Sequence, residues 1–597
     1  MSESISNERL SKRNLWGYSM GGIGRDMAYQ LVNTYLLTFI TFTKGLSNTE
    51  FAMVGVIMVI CRIFDGCNDP FMGSLIEITR TKIGKFKPWI LAGVFTNVAV
   101  IIALFCVPLR GTSYLIFFAF GYLLWGMTYT MNDISYWGMM PSLTSNPGDR
   151  NNLTTLANIG AGVGAGLSVL AIPSLTQGNL AIASNASKSY AIVSIIVCIV
   201  FFVCQIMTVF VVKEKPLPKV RVDDGEKRSL KEMFRVIFKN DQLKPVMAAM
   251  LLYSIGSGIT MALASYWIYY RFAYQGLLVT LFTVISGIST VVIVFFPILC
   301  KKHSRRWISK LSMIMIIVGY LLMFIISLAT GADPKADKVG FNVGEVFIPV
   351  TFIFTGLSGA CAFFGQTLFY QVLTISVANT VEYNEYTTGT RDEGVIFACR
   401  PFTTKLGSAA VVGITTLVVL ALGLNPTNKA ISNADYEAGQ LAIQVEQLVK
   451  DETPNFDSLS KEEQTKLIEA KKKSIETENV AKIEDIIHTN EKTKVAKWQY
   501  QTMFAFMTLL PLVILLGSFA IYFKKYNINE ERYDEICAEI ARRKLAAEGN
   551  AEVVLDGADV NELENDLASS DAETPDEIFE QEAAADKISE APDEVEK

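Results

Sequence analysis

Long apolar segments separated by short polar connections run through most of this chain. About 20 apolar residues suffice for an α-helix to cross the hydrocarbon core of a bilayer. Twelve segments approach or exceed that length, so the pattern predicts an all-α polytopic membrane protein with twelve transmembrane helices. The predicted helices lie at residues 15–43, 51–76, 88–108, 113–141, 153–174, 189–212, 245–270, 277–300, 309–329, 346–380, 394–423 and 499–523.

The twelve helices divide into two sets of six. A basic connection at 213–244 separates an N-terminal six-helix bundle, 15–212, from a C-terminal one, 245–523. Basic runs follow the second helix, at 80–87, and the eighth helix, at 301–306. A parallel repeat of six helices is typical of the major facilitator fold, and positive connections face the cytoplasm. We therefore expect a multi-pass protein of the cell membrane.

Three polar segments lie outside the predicted bundles or interrupt them. Residues 1–14 and the tail, 524–597, are expected in the cytoplasm. The tail is expected to be disordered, because from Ala551 onward it carries seventeen acidic and two basic residues. Residues 426–497, between the last two predicted helices, are expected to form a polar helical insertion outside the cell.

The composition argues against an enzyme. Of the 597 residues, 51% are hydrophobic and 19% are charged. The nine cysteines are scattered without a CxxC pair, and the two histidines fall in predicted polar regions. Since neither a nucleophile–base pair nor a cluster of metal ligands is recognisable, we expect no catalytic activity, no cofactor and no nucleic-acid partner.

Three charged residues interrupt the second predicted helix: Arg62, Asp65 and Asp69. An ionised group near the bilayer centre opposes insertion by roughly 2.5–3.5 kcal/mol, so such groups usually face a bundle interior and mark ion or substrate pathways. Their spacing of three and four residues puts them on one helix face. The stretch therefore predicts an ion site, followed by a gate at the cytoplasmic side.

The first and fourth predicted helices also carry charges. Arg25 and Asp26 are adjacent, and such a pair either neutralises itself as a structural ion pair or contacts a ligand. Tyr129, Asp133 and Trp137 follow one another at intervals of four residues and share a helix face. A carboxylate between aromatic rings suits a polyhydroxylated ligand, although Trp137 is equally consistent with an aromatic belt at the membrane interface.

Charged residues recur near the predicted tenth and eleventh helices. Glu382, Glu385 and Arg391 are expected at the inner surface, either in ion pairs that hold one gating state or as solvated surface charges. Lys405 lies deep in an apolar helix, and we expect it to pair with a carboxylate across a cavity.

Several of these stretches resemble one known family. The sequence RIFDGCNDPFMGSLIEITRTKIGKFKPW, at 62–89, is similar to the hallmark of the glycoside-pentoside-hexuronide:cation symporters. GIGRDMA, WGMTYTMNDISYW, FKNDQL, VEYNEY and TTKLGSAA add to the resemblance, which covers roughly 15–423 and the last helix and points to the melibiose permease branch. The resemblance implies a major facilitator fold that carries a sugar-like solute with a cation.

The resemblance also implies individual site residues. The cation site would consist of Asp65, Asn68, Asp69 and Thr130. The substrate-binding residues would be Arg25, Asp26, Tyr129, Asp133 and Trp137, with Lys405 linking the eleventh helix to the acidic cluster. Two carboxylates with amide and hydroxyl oxygens suit a dehydrated Na+, so we expect Na+ as the coupling ion, with H+ and Li+ as alternatives. Arg62 is expected to act as the countercharge of the empty site.

Two departures from the melibiose branch leave the sugar undetermined. Asn158 stands where that branch has a sugar-binding arginine, and Phe42 stands near the position of an acid. We expect a cation-coupled symporter of a sugar or glycoside that works by alternating access, as a monomer in the lipid bilayer. An H+-coupled symporter of a sugar acid or other small solute, and a transporter-like membrane sensor, are the alternatives.

Overall fold

A computed structural model gives the architecture of the chain. It describes residues 10–144, 146–214, 235, 238–272, 274–289, 292–329, 339–343, 346–390 and 392–547. Most of the predicted basic connection at 213–244, as well as Arg391 and the acidic segment from Ala551, lie outside the described residues.

Six helices form the first half. They are α1 (Lys12–Thr43), α2 (Asn48–Ile78), α3 (Lys87–Cys106), α4 (Gly111–Leu143), α5 (Pro147–Thr176) and α6 (Ala186–Val211). Short polar side chains start several of them, as expected from the unpaired N–H groups of a first turn. Ser47, for example, forms a capping box with Glu50, in which each side chain accepts a hydrogen bond from the other residue's backbone N–H.

The second half contains more elements. In chain order they are α7 (Leu243–Arg271), α8 (Gly276–Ile288), α9 (Val292–Lys302), α10 (Arg305–Ala329), β1 (Gly340–Val343), β2 (Val346–Pro349), α11 (Val350–Thr388), α12 (Glu393–Ala421), α13 (Asn425–Ile443), α14 (Val445–Glu452), α15 (Lys461–His488), α16 (Lys497–Lys525) and α17 (Glu530–Ala547).

The helix contacts of the second half repeat those of the first. Helix α7 packs against α12 and α16, as α1 packs against α5 and α6. Helix α10 packs against α11 and α16, as α3 packs against α4 and α6. Between the halves, α2 packs against α12 and α5 packs against α8, and these two contacts correspond when the halves are interchanged. The arrangement is the pair of helical repeats that is typical of the major facilitator fold.

The helices have the length and surface that a bilayer requires. In the described part of the chain, nine helices are long and apolar enough to cross a membrane, namely α3, α4, α5, α6, α7, α10, α11, α12 and α16. Large apolar side chains such as Val56, Phe120, Phe210 and Val513 remain exposed. Apolar side chains can face lipid because the hydrocarbon core is itself apolar, and a helix can cross that core because it satisfies its own backbone hydrogen bonds.

Two predicted helices have different bounds in the structure. The segment 277–300 is divided into α8 and α9, with 290–291 outside the described residues. The segment 346–380 begins as strand β2, paired antiparallel with β1, and α11 starts only at Val350. Hydropathy does not distinguish an apolar strand from an apolar helix, and Pro349 favours extended backbone at the residue before it.

The prediction of a disordered tail is wrong for residues 530–547. They form α17, which packs against α11. Ile536 and Ile540, one helical turn apart, are buried, and Arg305 pairs with Glu530 at 3.1 Å. The prediction rested on the acidic composition of the tail as a whole and overlooked this short amphipathic pattern.

The polar segment 425–497 covers one end of the bundle, which we call the insertion end. Its helices α13 and α15 pack against each other, and α13 also contacts α1 and α6 of the first half. The opposite end, where α1 begins and α16 ends, we call the termini end. Asn14 of α1 and Lys213 after α6 exchange hydrogen bonds there, at 3.1 and 3.0 Å.

Glycines in α5 allow a close approach to α1. A Cβ atom at Gly160 would clash with the carbonyl oxygen of Ser19, and one at Gly164 would clash with that of Ile23. The alternate glycines, Gly162 and Gly166, face open space, with no heavy atom within 4 Å of the corresponding position. The contact between α1 and α5 therefore depends on the first pair.

Gly164→Ala is expected to force α1 and α5 apart and to destabilise the protein by roughly 1–3 kcal/mol, the usual effect of overpacking. Gly162→Ala is the matched control, and it is expected to be neutral or slightly stabilising because alanine favours a helix. Thermal unfolding of both variants in detergent measures the difference. Equal midpoints for the two variants would contradict this account of the contact.

Candidate functional site

A lysine and two aspartates meet between the halves. Lys405 of α12 reaches α2, where its Nζ lies 2.7 and 2.6 Å from the two carboxylate oxygens of Asp69 and 3.0 Å from Asp65 Oδ2. Asp65 and Asp69 are one turn apart, so both carboxylates project toward α12. The three side chains are partly buried, with between 23% and 31% of each side chain's surface exposed. Two carboxylates and one ammonium leave this cluster with one net negative charge.

Thr130 joins the cluster from α4. Its Oγ1 donates a hydrogen bond to Asp65 Oδ1 at 2.6 Å. Asn68 is buried, but its Nδ2 has no hydrogen-bond partner among the described residues. Of the four residues that the resemblance assigns to the cation, the structure therefore joins Asp65, Asp69 and Thr130 and leaves Asn68 outside the hydrogen-bonded cluster.

Arg62 does not provide the countercharge that was predicted for it. Its Nη1 donates to Ser408 Oγ at 2.7 Å and its Nη2 donates to the carbonyl oxygen of Asn33 at 3.3 Å. Helices α2 and α12 run antiparallel, so Asp65 lies opposite Lys405 and Arg62 lies opposite Ser408, one turn away. The countercharge of the two carboxylates is consequently Lys405.

A second charged cluster lies within the first half. Arg25 is buried, and its guanidinium contacts Asp26 at 2.5 Å and Asp133 at 3.0 Å. The guanidinium also lies over the rings of Tyr136 and Trp137, 4.7 and 4.8 Å from their centroids. Asp26 and Asp133 keep 21% and 35% of their exposure. The pair Arg25–Asp26 is therefore part of a larger group that presents two carboxylates and an indole.

Tyr129 belongs to an aromatic group beside this cluster. Its ring lies 5.1 Å from Tyr29 and 5.8 Å from Trp125, centroid to centroid. Tyr29 did not feature among the predicted residues. Its position one turn after Arg25, on the same face of α1, was the signal for it.

A cavity of about 580 Å³ lies between the halves. A cavity of this size falls in the range of small-molecule sites. Its lining includes the hydroxyl side chains of Thr34, Thr38, Ser254, Ser257, Ser265, Thr404, Ser408 and Thr415, the tyrosines Tyr253, Tyr266 and Tyr370, and Arg62. Sequence reasoning missed the serines of α7, whose signal is their helical spacing within an apolar segment.

Aromatic side chains of the two halves pack against each other toward the insertion end. Phe42, at the end of α1, packs its ring on four tyrosines of the second half, with centroid separations between 5.1 and 5.9 Å. These tyrosines are Tyr266, Tyr269, Tyr270 and Tyr274. Phe42 therefore forms the centre of an aromatic contact between the two halves.

Arg400 and Asn158 make their hydrogen bonds outside both clusters. Arg400 donates to the hydroxyl of Tyr370 at 2.7 Å. Asn158 is exposed on α5 and donates within its own helix. Glu382 and Glu385 lie near the end of α11, on the helix against which α17 packs. Their role in gating stays a prediction.

Comparison with known proteins places this arrangement in a family. Residues 17–443 match the family model described as "MFS/sugar transport protein". The match covers both charged clusters and the residues that line the cavity. The chain belongs to this family. The MFS assignment agrees with the two helical repeats, and the family is one of transport proteins and not of enzymes.

Several similar proteins are named as sugar transporters. The chain is 26% identical to the raffinose carrier protein of Pediococcus pentosaceus, over 71% of this chain and 64% of that protein. It is 28% identical to the lactose permease of Lactobacillus delbrueckii subsp. bulgaricus, over 72% and 66%. The isoprimeverose transporter of Lactiplantibacillus pentosus is 25% identical, over 68% and 80%. The chain thus spans slightly less than two thirds of the length of the first two relatives.

Removing both carboxylates around Arg25 is expected to lower the free energy of unfolding by more than the sum of the two single removals. Asp26→Asn and Asp133→Asn each leave the buried guanidinium one partner, whereas the double variant leaves it none. We expect the loss in the double variant to exceed the sum of the single losses by roughly 1–3 kcal/mol. Unfolding in detergent measures the four proteins of this cycle.

Adding Arg25→Met to the double variant supplies the control. It removes the unpaired charge, so part of the lost stability is expected to return. Additive losses in the cycle, or no recovery in the triple variant, would show that the ion pairs do not hold this cluster together.

Proposed function

We propose that this protein is a secondary active transporter that carries a sugar or glycoside together with a monovalent cation, Na+ first, by alternating access. The observation that carries the proposal is the cluster of Lys405, Asp65 and Asp69, which joins the two halves inside the bundle. Charges placed there are costly, and in membrane proteins they commonly mark ion or substrate pathways.

Charge balance supports a single monovalent cation at this cluster. One Na+, Li+ or H+ neutralises the net negative charge that Lys405 leaves on Asp65 and Asp69, whereas a divalent ion exceeds it. Carboxylate oxygens and the hydroxyl of Thr130 are the hard ligands that Na+ prefers. A metal cation that binds the carboxylates competes with the ammonium of Lys405 and so weakens a tie between α2 and α12.

The hydroxyl-rich cavity and the cluster around Asp133 support a polyhydroxylated solute. Serine, threonine and tyrosine hydroxyls both donate and accept hydrogen bonds, as sugar hydroxyls do. Asp133 and Trp137 add a partly exposed carboxylate and a ring for the apolar face of a sugar. Arg25 is buried and already paired, so we assign it to holding Asp26 and Asp133 in place.

The contacts between the halves support alternating access. The aromatic contacts of Phe42 hold the halves together toward the insertion end, while the lysine–aspartate cluster ties α2 to α12 deeper in the bundle. When cation and solute are both bound, the cation balances the charge of the cluster and the solute hydroxyls pair with the polar groups of the cavity, so the halves are free to rock. A site without the cation retains uncompensated charge, and a site without the solute leaves polar groups unpaired on closure, so either partly loaded state opposes that movement.

Uptake into proteoliposomes tests the proposal. With an imposed Na+ gradient, we expect labelled raffinose, lactose or isoprimeverose to accumulate above equilibrium, and parallel vesicles with Li+ or H+ gradients identify the ion. Asp65→Cys and Asp69→Cys are expected to abolish this accumulation, because each removes a carboxylate of the cation site. Cys67→Ser, between them on α2, is the matched control and is expected to retain it.

Gradient-driven accumulation in either aspartate variant would refute the assigned cation site. If the wild-type protein accumulated none of these solutes under any gradient, the alternative of a membrane sensor would gain support.

One observation favours a second candidate, a symporter of a sugar acid. Arg62 lines the cavity, and within the described part of the chain no carboxylate pairs with it. A cation in this position favours an anionic solute. The same vesicles, supplied with a labelled glucuronide and an H+ gradient, distinguish the two candidates.

A further inference from the structure

The polar segment 425–497 is fixed to the second half. Tyr270, at the end of α7, donates its hydroxyl proton to Asn428 Oδ1 at 2.5 Å. The carbonyl oxygen of the same tyrosine lies 3.1 Å from His488 Nε2 and accepts a hydrogen bond from the Tyr500 hydroxyl at 2.9 Å. The start of α13, the end of α15 and the start of α16 therefore converge on one residue of α7, and the insertion moves with the second half.

Helix α13 also reaches across to the first half at three places. Asn425 donates to the carbonyl oxygen of Leu46, between α1 and α2, at 3.1 Å. Arg110, between α3 and α4, donates to Ser432 Oγ at 2.8 Å and to Asn433 Oδ1 at 3.0 Å. The third contact, at Asp435, lies at the connection between α5 and α6. One helix thus holds each connection that the first half presents at the insertion end.

Asp435 makes the most highly coordinated of these contacts. Its side chain is 1% exposed, and it accepts hydrogen bonds from the backbone N–H groups of Ala186 at 2.5 Å and Ser187 at 3.2 Å. The hydroxyl of Ser187 donates a further hydrogen bond at 2.8 Å, and Asn185 Nδ2 donates to the backbone oxygen of Asp435 at 2.9 Å. Ala186 and Ser187 open α6, where unpaired N–H groups and the helix dipole favour a carboxylate.

The carboxylate depends on these donors. Burial raises the pKa of Asp435, and the hydrogen bonds from Ser187 and Ala186 oppose that shift. A buried carboxylate that loses its donors is unfavourable unless it reaches water. Separation of α13 from α6 therefore costs the charge-assisted hydrogen bonds of Asp435 as well as the contacts of Arg110 and Asn425.

We propose that α13 is a latch that holds the insertion end of the bundle closed, and that Asp435 is its principal positioning residue. The proposal rests on the alternating access proposed above. In that cycle the two halves separate at the insertion end. Helix α13 is fixed to the second half, and it is hydrogen-bonded to all three connections of the first half at that end. The latch lowers the population of the state that is open at this end, and the polar segment sets the balance between the two states of the transporter.

Spin-label distances across the insertion end test the latch without any solute. Ser113→Cys, at the start of α4, and Lys497→Cys, at the start of α16, place labels on exposed positions of opposite halves outside α13. The nine native cysteines are replaced by serine. In the otherwise unchanged chain we expect one predominant, short distance.

Asp435→Ala is expected to raise the population at longer distances by about tenfold, as the loss of a charge-assisted hydrogen bond would. Glu437→Gln is the matched control on the same helix, because Glu437 pairs with Lys482 inside the insertion and not across the halves. It is expected to leave the distances unchanged. Arg110→Met breaks a separate contact of α13 and is expected to act like Asp435→Ala, so it carries the test if that variant does not fold.

Unchanged distances in folded Asp435→Ala or Arg110→Met would overturn the latch, as would an equal shift in Glu437→Gln. These distances require neither sugar nor Na+. Failure of the latch is therefore distinguishable from failure of the proposed transport, which the vesicle experiment measures separately.

Discussion

The ion pairs between Lys405 and the two aspartates of α2 are the interaction on which the rest of the structure depends. They place three charges inside a largely apolar bundle, and they do so across the boundary between the two halves. Removing one partner of a buried ion pair typically costs roughly 3–5 kcal/mol, and the partial exposure of these side chains reduces that figure here. The halves are consequently coupled by a contact that the proposed coupling cation would weaken, because it would compete for the same oxygens.

Helix α4 gives this cluster a direct connection to the proposed solute site. Thr130 bonds to Asp65, and Asp133, three residues later on the same helix, pairs with Arg25. If a bound cation displaces Asp65, the displacement therefore acts on the helix that positions Asp133 and Trp137. If cation binding favours sugar binding in this way, sugar binding must favour the cation by the same factor. The connection between the proposed cation and solute sites therefore spans one turn of α4.

The sequence was most informative where length and spacing alone determine the outcome. Apolar segment lengths predicted the helices, and the intervals between Arg62, Asp65 and Asp69 predicted a shared face. The position of Lys405 deep in an apolar helix predicted its pairing with a carboxylate, and the structure shows that pair. The contacts of Arg62 were not predictable, because they depend on the antiparallel register of α2 and α12, which sets Arg62 opposite Ser408. Apolar strand β2 was taken for helix because hydropathy is similar in both. The amphipathic pattern of α17 was hidden by the charge of the longer tail.

The central claim is that cation and sugar bind cooperatively because Lys405, Asp65, Thr130 and Asp133 form one connected site. Equilibrium binding of a sugar to the purified protein, by isothermal titration in Na+, in Li+ and in a buffer with neither, tests this most directly. The account predicts tighter sugar binding with the coupling ion, and an equal gain in cation affinity with sugar. The same sugar affinity in all three buffers and across pH would contradict it.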